Sequence, residues 1–226
     1  MVTVEEKNKE DFTRHFHEMS VILLTQLNLL QQQLVALDQT LYYEKIAQNE
    51  QKLDKYENMM HDEAVGFLGL MSPKAGDLRL IIACLDMSSH VERTGDLVYS
   101  ISKRLKILIH KDSVFDQFRP KIMLLYEAAH RMIQNAIFAF ECKDTKMAQD
   151  VIEFDDEVDR LNIEIQGDVF ALHRPDIVGE TLREVLELGR VLYNMERIGD
   201  SATNIAESVI FMTEGKDIKH ENTSSR

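Results

Sequence analysis

Glu92-Arg93-Thr94-Gly95-Asp96 and Glu196-Arg197-Ile198-Gly199-Asp200 are one pentapeptide written twice, 104 positions apart and differing at a single residue. Arg79 and Arg183 keep the offset of 104, while Glu50 with Asp155 and Asp54 with Asp159 keep one of 105. A proline break recurs too, Ser72-Pro73 in the first half and His173-Arg174-Pro175 in the second. Chance does not hold a breaker and a run of polar positions in near-constant register, so the chain reads as an internal duplication.

Each copy reads as three helices. Phe12, Phe16, Met19, Leu23, Leu27, Leu30, Leu34 and Leu37 recur at steps of three and four, one apolar stripe along a helix near residues 6–38. A second periodic segment runs over about 41–71 and stops at Ser72-Pro73, because proline disfavours helical geometry in the residue before it. Pro73 then starts a third helix that reaches about His110, before the polar turn Lys111-Asp112-Ser113. The scheme repeats with helices over about 117–141, 144–172 and from the second proline break to Thr213, and the tail 216–226 is polar. The expected fold is all-α: two similar tandem three-helix bundles, 1–112 and 113–214, followed by a tail at 215–226.

Composition agrees with long helices, since only 9 Gly and 3 Pro interrupt 226 residues that are 44% hydrophobic. The formal net charge of −13 argues against unaided nucleic-acid binding, which needs a basic face, and suits cations or basic partners. Neither a secretory leader nor an uninterrupted apolar span is present, so a cytoplasmic protein is expected. Cys84 and Cys142 form no Cys-x-x-Cys pair, and Cys84 reads as a small buried hydrophobe.

The chemistry lies in the acids. Glu50 with Asp54, Glu92 with Asp96, Asp155 with Asp159 and Glu196 with Asp200 are all i, i+4 pairs, which puts both carboxylates on one helix face. Like charges at that spacing repel, and four such pairs in register suggest a cation between neighbouring helices. An acidic chain yields such pairs readily on solvated faces. Here, however, Leu78, Ile82, Leu85, Ser89, Glu92 and Asp96 fall on one stripe, as do Leu182, Leu186, Gly189, Tyr193, Glu196 and Asp200, so the acids are expected to continue a core-facing stripe. Carboxylates leaning toward a low-dielectric interface are costly unless paired or metal-bound.

Arg93 and Arg197 offer the competing explanation, an ion pair to Asp96 or Asp200 at i+3. Gly95 and Gly199 favour a close approach instead, since a mid-helix glycine costs about 1 kcal/mol relative to alanine and recurs here between the acids. With no His or Cys at matching positions, the donor set is all oxygen and favours Mg, Ca, Mn or Fe over structural zinc. His61 lies seven residues beyond Asp54, although its mate is Gln166. A di-iron enzyme needs Glu-x-x-His on two helices, and only Glu127-Ala-Ala-His130 is present. A metal-free scaffold whose acids bind basic partner helices is the remaining alternative.

The stretch Met195-Glu196-Arg197-Ile198-Gly199-Asp200-Ser201-Ala202-Thr203-Asn204-Ile205-Ala206-Glu207 and Ser72-Pro73-Lys74-Ala75-Gly76-Asp77-Leu78-Arg79-Leu80-Ile81 resemble the hallmark segments of the PhoU family. The resemblance spans about residues 12–213. It implies two three-helix bundles, an acidic site in each that holds a multinuclear metal cluster of iron or another divalent cation (Zn, Mn, Mg or Ca), and no enzymatic activity. Carried over, the first site uses Glu50, Asp54, Glu92 and Asp96 and the second Asp155, Asp159, Glu196 and Asp200. It also implies a homodimeric adaptor at the cytoplasmic membrane face, reaching the membrane only through partners. Those partners are the phosphate ABC transporter and the phosphate sensor histidine kinase, and the effect is negative regulation of phosphate uptake. The first copy departs from the pattern, with Thr94, Ser100 and Lys103 where the second has Ile198, Asn204 and Glu207, so the second site is the favoured one.

Overall fold

The computed structural model describes residues 4–36, 40–71, 73–110, 113–172, 179–216 and 218. Six helices follow in order: α1 Val4–Val35, α2 Thr40–Met71, α3 Ala75–Leu108, α4 Val114–Cys142, α5 Thr145–Ala171 and α6 Glu180–Glu214. The first three pack together and so do the last three, with α3 and α6 lying against one another along the seam and α1 touching α4. The expected all-α tandem bundles are what the chain forms. Leu37, Ser72, Lys111-Asp112 and His173-Arg174-Pro175 lie outside the described residues, as does most of the tail.

The apolar stripe of α1 is its buried face: Phe16, Met19, Leu23, Leu27, Leu30 and Leu34 are all fully buried. Two glutamines on that face tie α1 to α3, Gln26 Nε2 donating to the Gly95 carbonyl at 3.2 Å and Gln33 Nε2 to the Ser102 carbonyl at 3.1 Å. Across the seam, the Phe16 and Phe140 rings meet edge to face with centroids 4.7 Å apart. Tyr126 donates its hydroxyl to the Leu27 carbonyl, and Arg119 Nη1 donates to the Leu34 carbonyl. Each of these side chains links a helix of one bundle to a helix of the other.

Two helix starts differ from the expected ones. Helix α3 begins at Ala75 with Lys74 at its N-cap, which leaves Pro73 outside the helix rather than at its first position. Helix α4 begins at Val114, three residues before Gln117. Ser113 caps it by accepting from the Asp116 N–H at 3.2 Å, and the Glu184 carboxylate accepts the Val114 N–H at 2.8 Å. Satisfied N-terminal donors outweigh Pro120, which sits inside the helix and removes one backbone hydrogen bond. Asp144 caps α5 through the Met147 N–H, and Gly215, at φ 72°, closes α6 in the left-handed conformation that glycine adopts without a Cβ clash. Cys84 is buried, as expected of a small hydrophobe, and Cys142 is exposed. Among the described residues no helix is long and apolar enough to cross a membrane.

Candidate metal centre

Helix α2 carries Glu50, Asp54 and Glu57, and α3 carries Glu92 and Asp96. What lets these helices close up is Gly95. A Cβ there would run into Leu53 Cδ1 and lie 3.1 Å from Gln26 Oε1, so only a bare backbone admits both neighbours. The glycine thus serves the close approach of the helices. With the helices in place, Glu50, Asp54 and Asp96 each bring one carboxylate oxygen within 4.8 Å of the others. Among the described residues this is the one His, Cys, Asp or Glu group of three at that spacing.

Electrostatics in this group are those of crowded anions. Burial, then the Asp96, Glu57, Asp54 and Glu50 carboxylates, push the Glu92 carboxyl up to about 7. Burial followed by Asp54 and Asp96 raises Glu50, and burial followed by Asp54 and Glu57 raises Asp96. Arg93 is not among these charges. It is exposed and forms no ion pair with Asp96, so the arginine explanation does not hold in the first bundle. In the second, the Arg197 guanidinium lies over the Tyr193 ring, 5.6 Å from its centroid.

The second group forms from α5 and α6 in the same way but is looser. Burial, then Asp200, Asp159 and Asp155, raise the Glu196 carboxyl to about 7, so all four acids share one neighbourhood. No three of them meet the 4.8 Å spacing. Asp155, one methylene shorter than its mate Glu50, is drawn under α6: it is 5% exposed, and its Oδ1 lies 3.6 Å from where a Cβ on Gly199 would stand. Sequence favours the second group, yet the tighter one is in the first bundle.

One further expectation meets the geometry differently. The stripe that carries the acids borders the core rather than facing it, since Ile82, Leu186 and Tyr193 are exposed while Ile81, Cys84, Val91, Leu188 and Met195 are buried. The core face is rotated by about one residue, because α3 and α6 each pack against two bundle mates and the seam at once. His61 is exposed and does not join the acid group. Glu127 is exposed whereas His130 is buried beside Tyr126, so that Glu-x-x-His pair does not converge on a site. Glu57 joins this group beyond the paired acids, and its spacing of three from Asp54 and seven from Glu50 is the signal in the sequence that marks the same face. Its mate in the second bundle is Asn162, whose Oδ1 accepts from Gln166 Nε2 at 3.0 Å.

The PhoU domain model matches residues 16–105 and again residues 122–209. The chain belongs to the PhoU family. All eight acids fall inside the two PhoU segments. A relative from Zymomonas mobilis, named a phosphate-specific transport system accessory protein PhoU homolog, is 32% identical over 77% of this chain and 72% of its own length. Its Pseudomonas aeruginosa counterpart is 28% identical over 93% and 86%. The crystal structure of PhoU from Pseudomonas aeruginosa superposes with a TM-score of 0.83 at 26% identity, over 93% of this chain and 99% of that one. The PhoU of Streptococcus pneumoniae, at 16% identity and a TM-score of 0.84, shares the fold.

Proposed function

We propose that this chain is a non-enzymatic, metal-binding regulator that holds phosphate uptake down when phosphate is plentiful, as an accessory to a phosphate-specific transport system. The observation that carries the reading is the acid group repeated at equivalent places in both PhoU segments, with a glutamate in each raised to about 7 by its neighbours. The names of the relatives, which are transport-system accessory proteins, support the transport side of it.

The residues fit a cation. Oxygen donors alone converge from two helices, and among the described residues no arginine or lysine charge offsets the repulsion at Glu50, Glu92 or Asp96. Glu50, Asp54, Glu92 and Asp96 would hold one centre, and Asp155, Asp159, Glu196 and Asp200 the other. A bound multinuclear cluster of iron or another divalent cation would neutralise the carboxylates and tie α2 to α3 and α5 to α6. Beside the second group, Ile163, four residues from Asp159, and Tyr193, three from Glu196, are exposed, which suits an adaptor that docks on partners at that face. The partners in this reading are the phosphate ABC transporter and the phosphate sensor histidine kinase, met at the cytoplasmic face of the membrane by a homodimer.

Deleting the gene tests the regulatory reading. Phosphate uptake and phosphatase expression are expected to stay high in phosphate-rich medium. Unchanged uptake and unchanged phosphatase in the deletion strain would contradict it.

A further inference from the structure

The first copy differs from the second just past the shared pentapeptide, and the metal reading leaves that difference unexplained. In space, Ser100 and Lys103 border a hollow of about 390 Å³ between α3 and α6, lined also by Tyr99, Arg104, Ile107 and Glu187. The size is within the usual range of small-molecule sites, about 300–1,000 Å³. In a chain of net charge −13 the lining of this hollow carries more positive than negative charge. Arg104 and Arg190 share the single Glu187 carboxylate, and Lys103 is exposed with no ion pair. Lys103 and Arg104 against Glu187 leave one positive charge in the lining, and Arg190 pairs with the same carboxylate from outside it.

The hydroxyl donor is also uncommitted. Thr94 and Ser201 each donate to a carbonyl one turn back in their helix. Ser100 does not. Its Oγ accepts from Asn194 Nδ2 at 3.1 Å, which orients the oxygen and leaves its proton for an acceptor in the hollow. Arg104 Nε is buried and likewise lacks a hydrogen-bond partner. Tyr99 and Ile107 supply an apolar wall, and the Tyr99 ring is held by stacking on Tyr43 with centroids 5.7 Å apart.

We propose that this hollow binds a phosphoryl-bearing anion. Lys103 acts as a point charge, the Arg104 guanidinium as a planar donor and Ser100 as the neutral donor, the combination that recognises a tetrahedral oxyanion. The hollow exceeds a bare phosphate ion, and its apolar wall suits the organic part of a small phosphorylated molecule. The second repeat has no counterpart, because Asn204, Glu207 and Ser208 replace Ser100, Lys103 and Arg104, and Ser208 donates to Asp86 instead.

Equilibrium dialysis of the full chain against labelled inorganic phosphate, and separately against labelled AMP, tests it with and without a chelator. One saturable site for either ligand is expected, equal in both conditions and weakened about tenfold or more by Lys103→Glu. Lys103→Gln, which removes the charge without reversing it, should weaken binding less, and unchanged melting curves show that both variants fold. Saturation by inorganic phosphate assigns the free ion, and saturation by AMP alone assigns a phosphorylated metabolite. Absence of saturable binding of both ligands, binding indifferent to both variants, or binding abolished by the chelator would overturn the proposal.

Discussion

Gly95 and Gly199 stand at equivalent places in the two bundles, yet the space above them differs. A methyl group on Gly95 meets Leu53, fully packed beneath α3, whereas on Gly199 it meets Val158 at 3.3 Å and the flexible Met132 at 3.7 Å. Alanine gains about 1 kcal/mol of helix propensity at either site, and overpacking costs about 1–3 kcal/mol. Gly95→Ala is therefore expected to lower the melting temperature by several degrees and Gly199→Ala to leave it nearly unchanged, read by calorimetry. Equal effects would mean that α2 is not seated on Gly95. The role of the glycines was legible in the sequence because a mid-helix glycine repeated in register needs a reason. Which of the two is indispensable was not, since it depends on whether leucine or valine comes from the neighbouring helix.

Glu92 and Glu196 also set a pH dependence at this scale. Both carboxyls are raised to about 7, above the value near 4.5 of an ordinary glutamate, so the folded chain binds more protons than the unfolded one between those values. Stability of the metal-free protein then falls as pH rises through that window and levels off above about 7. Melting in the presence of chelator should be higher at pH 5 than at pH 8, and Glu92→Gln should flatten the trend. A rise from pH 5 to pH 8 would contradict the crowding of carboxylates described above.

The start of α4 shows how one element depends on another. Glu184, 7% exposed on α6, accepts the Val114 N–H and bonds to His110 Nε2 at 3.0 Å, so one carboxylate fixes both ends of the connection between the bundles. Glu184→Ala removes the partner of a buried helix-terminal donor and is expected to destabilise by about 1–3 kcal/mol, measured by denaturant unfolding. A change near zero would show that the cap at Ser113 suffices alone. Helix number, order and approximate length were legible from periodicity and the proline breaks. This start was not, because Glu184 is seventy residues from the backbone it caps, and no local pattern records that contact. The acid stripe was displaced for a similar reason: periodicity identifies a face, while the packing of α3 against α6 decides which face is innermost.

For the whole molecule, an acidic chain of net charge −13 concentrates carboxylates at two places that lie in the two copies of one unit. The eight acids were legible because the duplication singled them out, and their relative compactness was not, since it turns on one methylene between Glu50 and Asp155. If the groups hold metal, binding to the folded state alone stabilises by about 2.7 kcal/mol at a hundredfold excess over Kd. Metal should then raise the melting temperature at pH 8 more than at pH 5, where protons compete for Glu92 and Glu196. The most direct measurement is elemental analysis of freshly purified protein beside a variant carrying Asp54→Asn, Asp96→Asn, Asp159→Asn and Asp200→Asn. Stoichiometric metal in the wild type and its loss from the variant is the predicted result, and the same trace metal in both would contradict the metal centre.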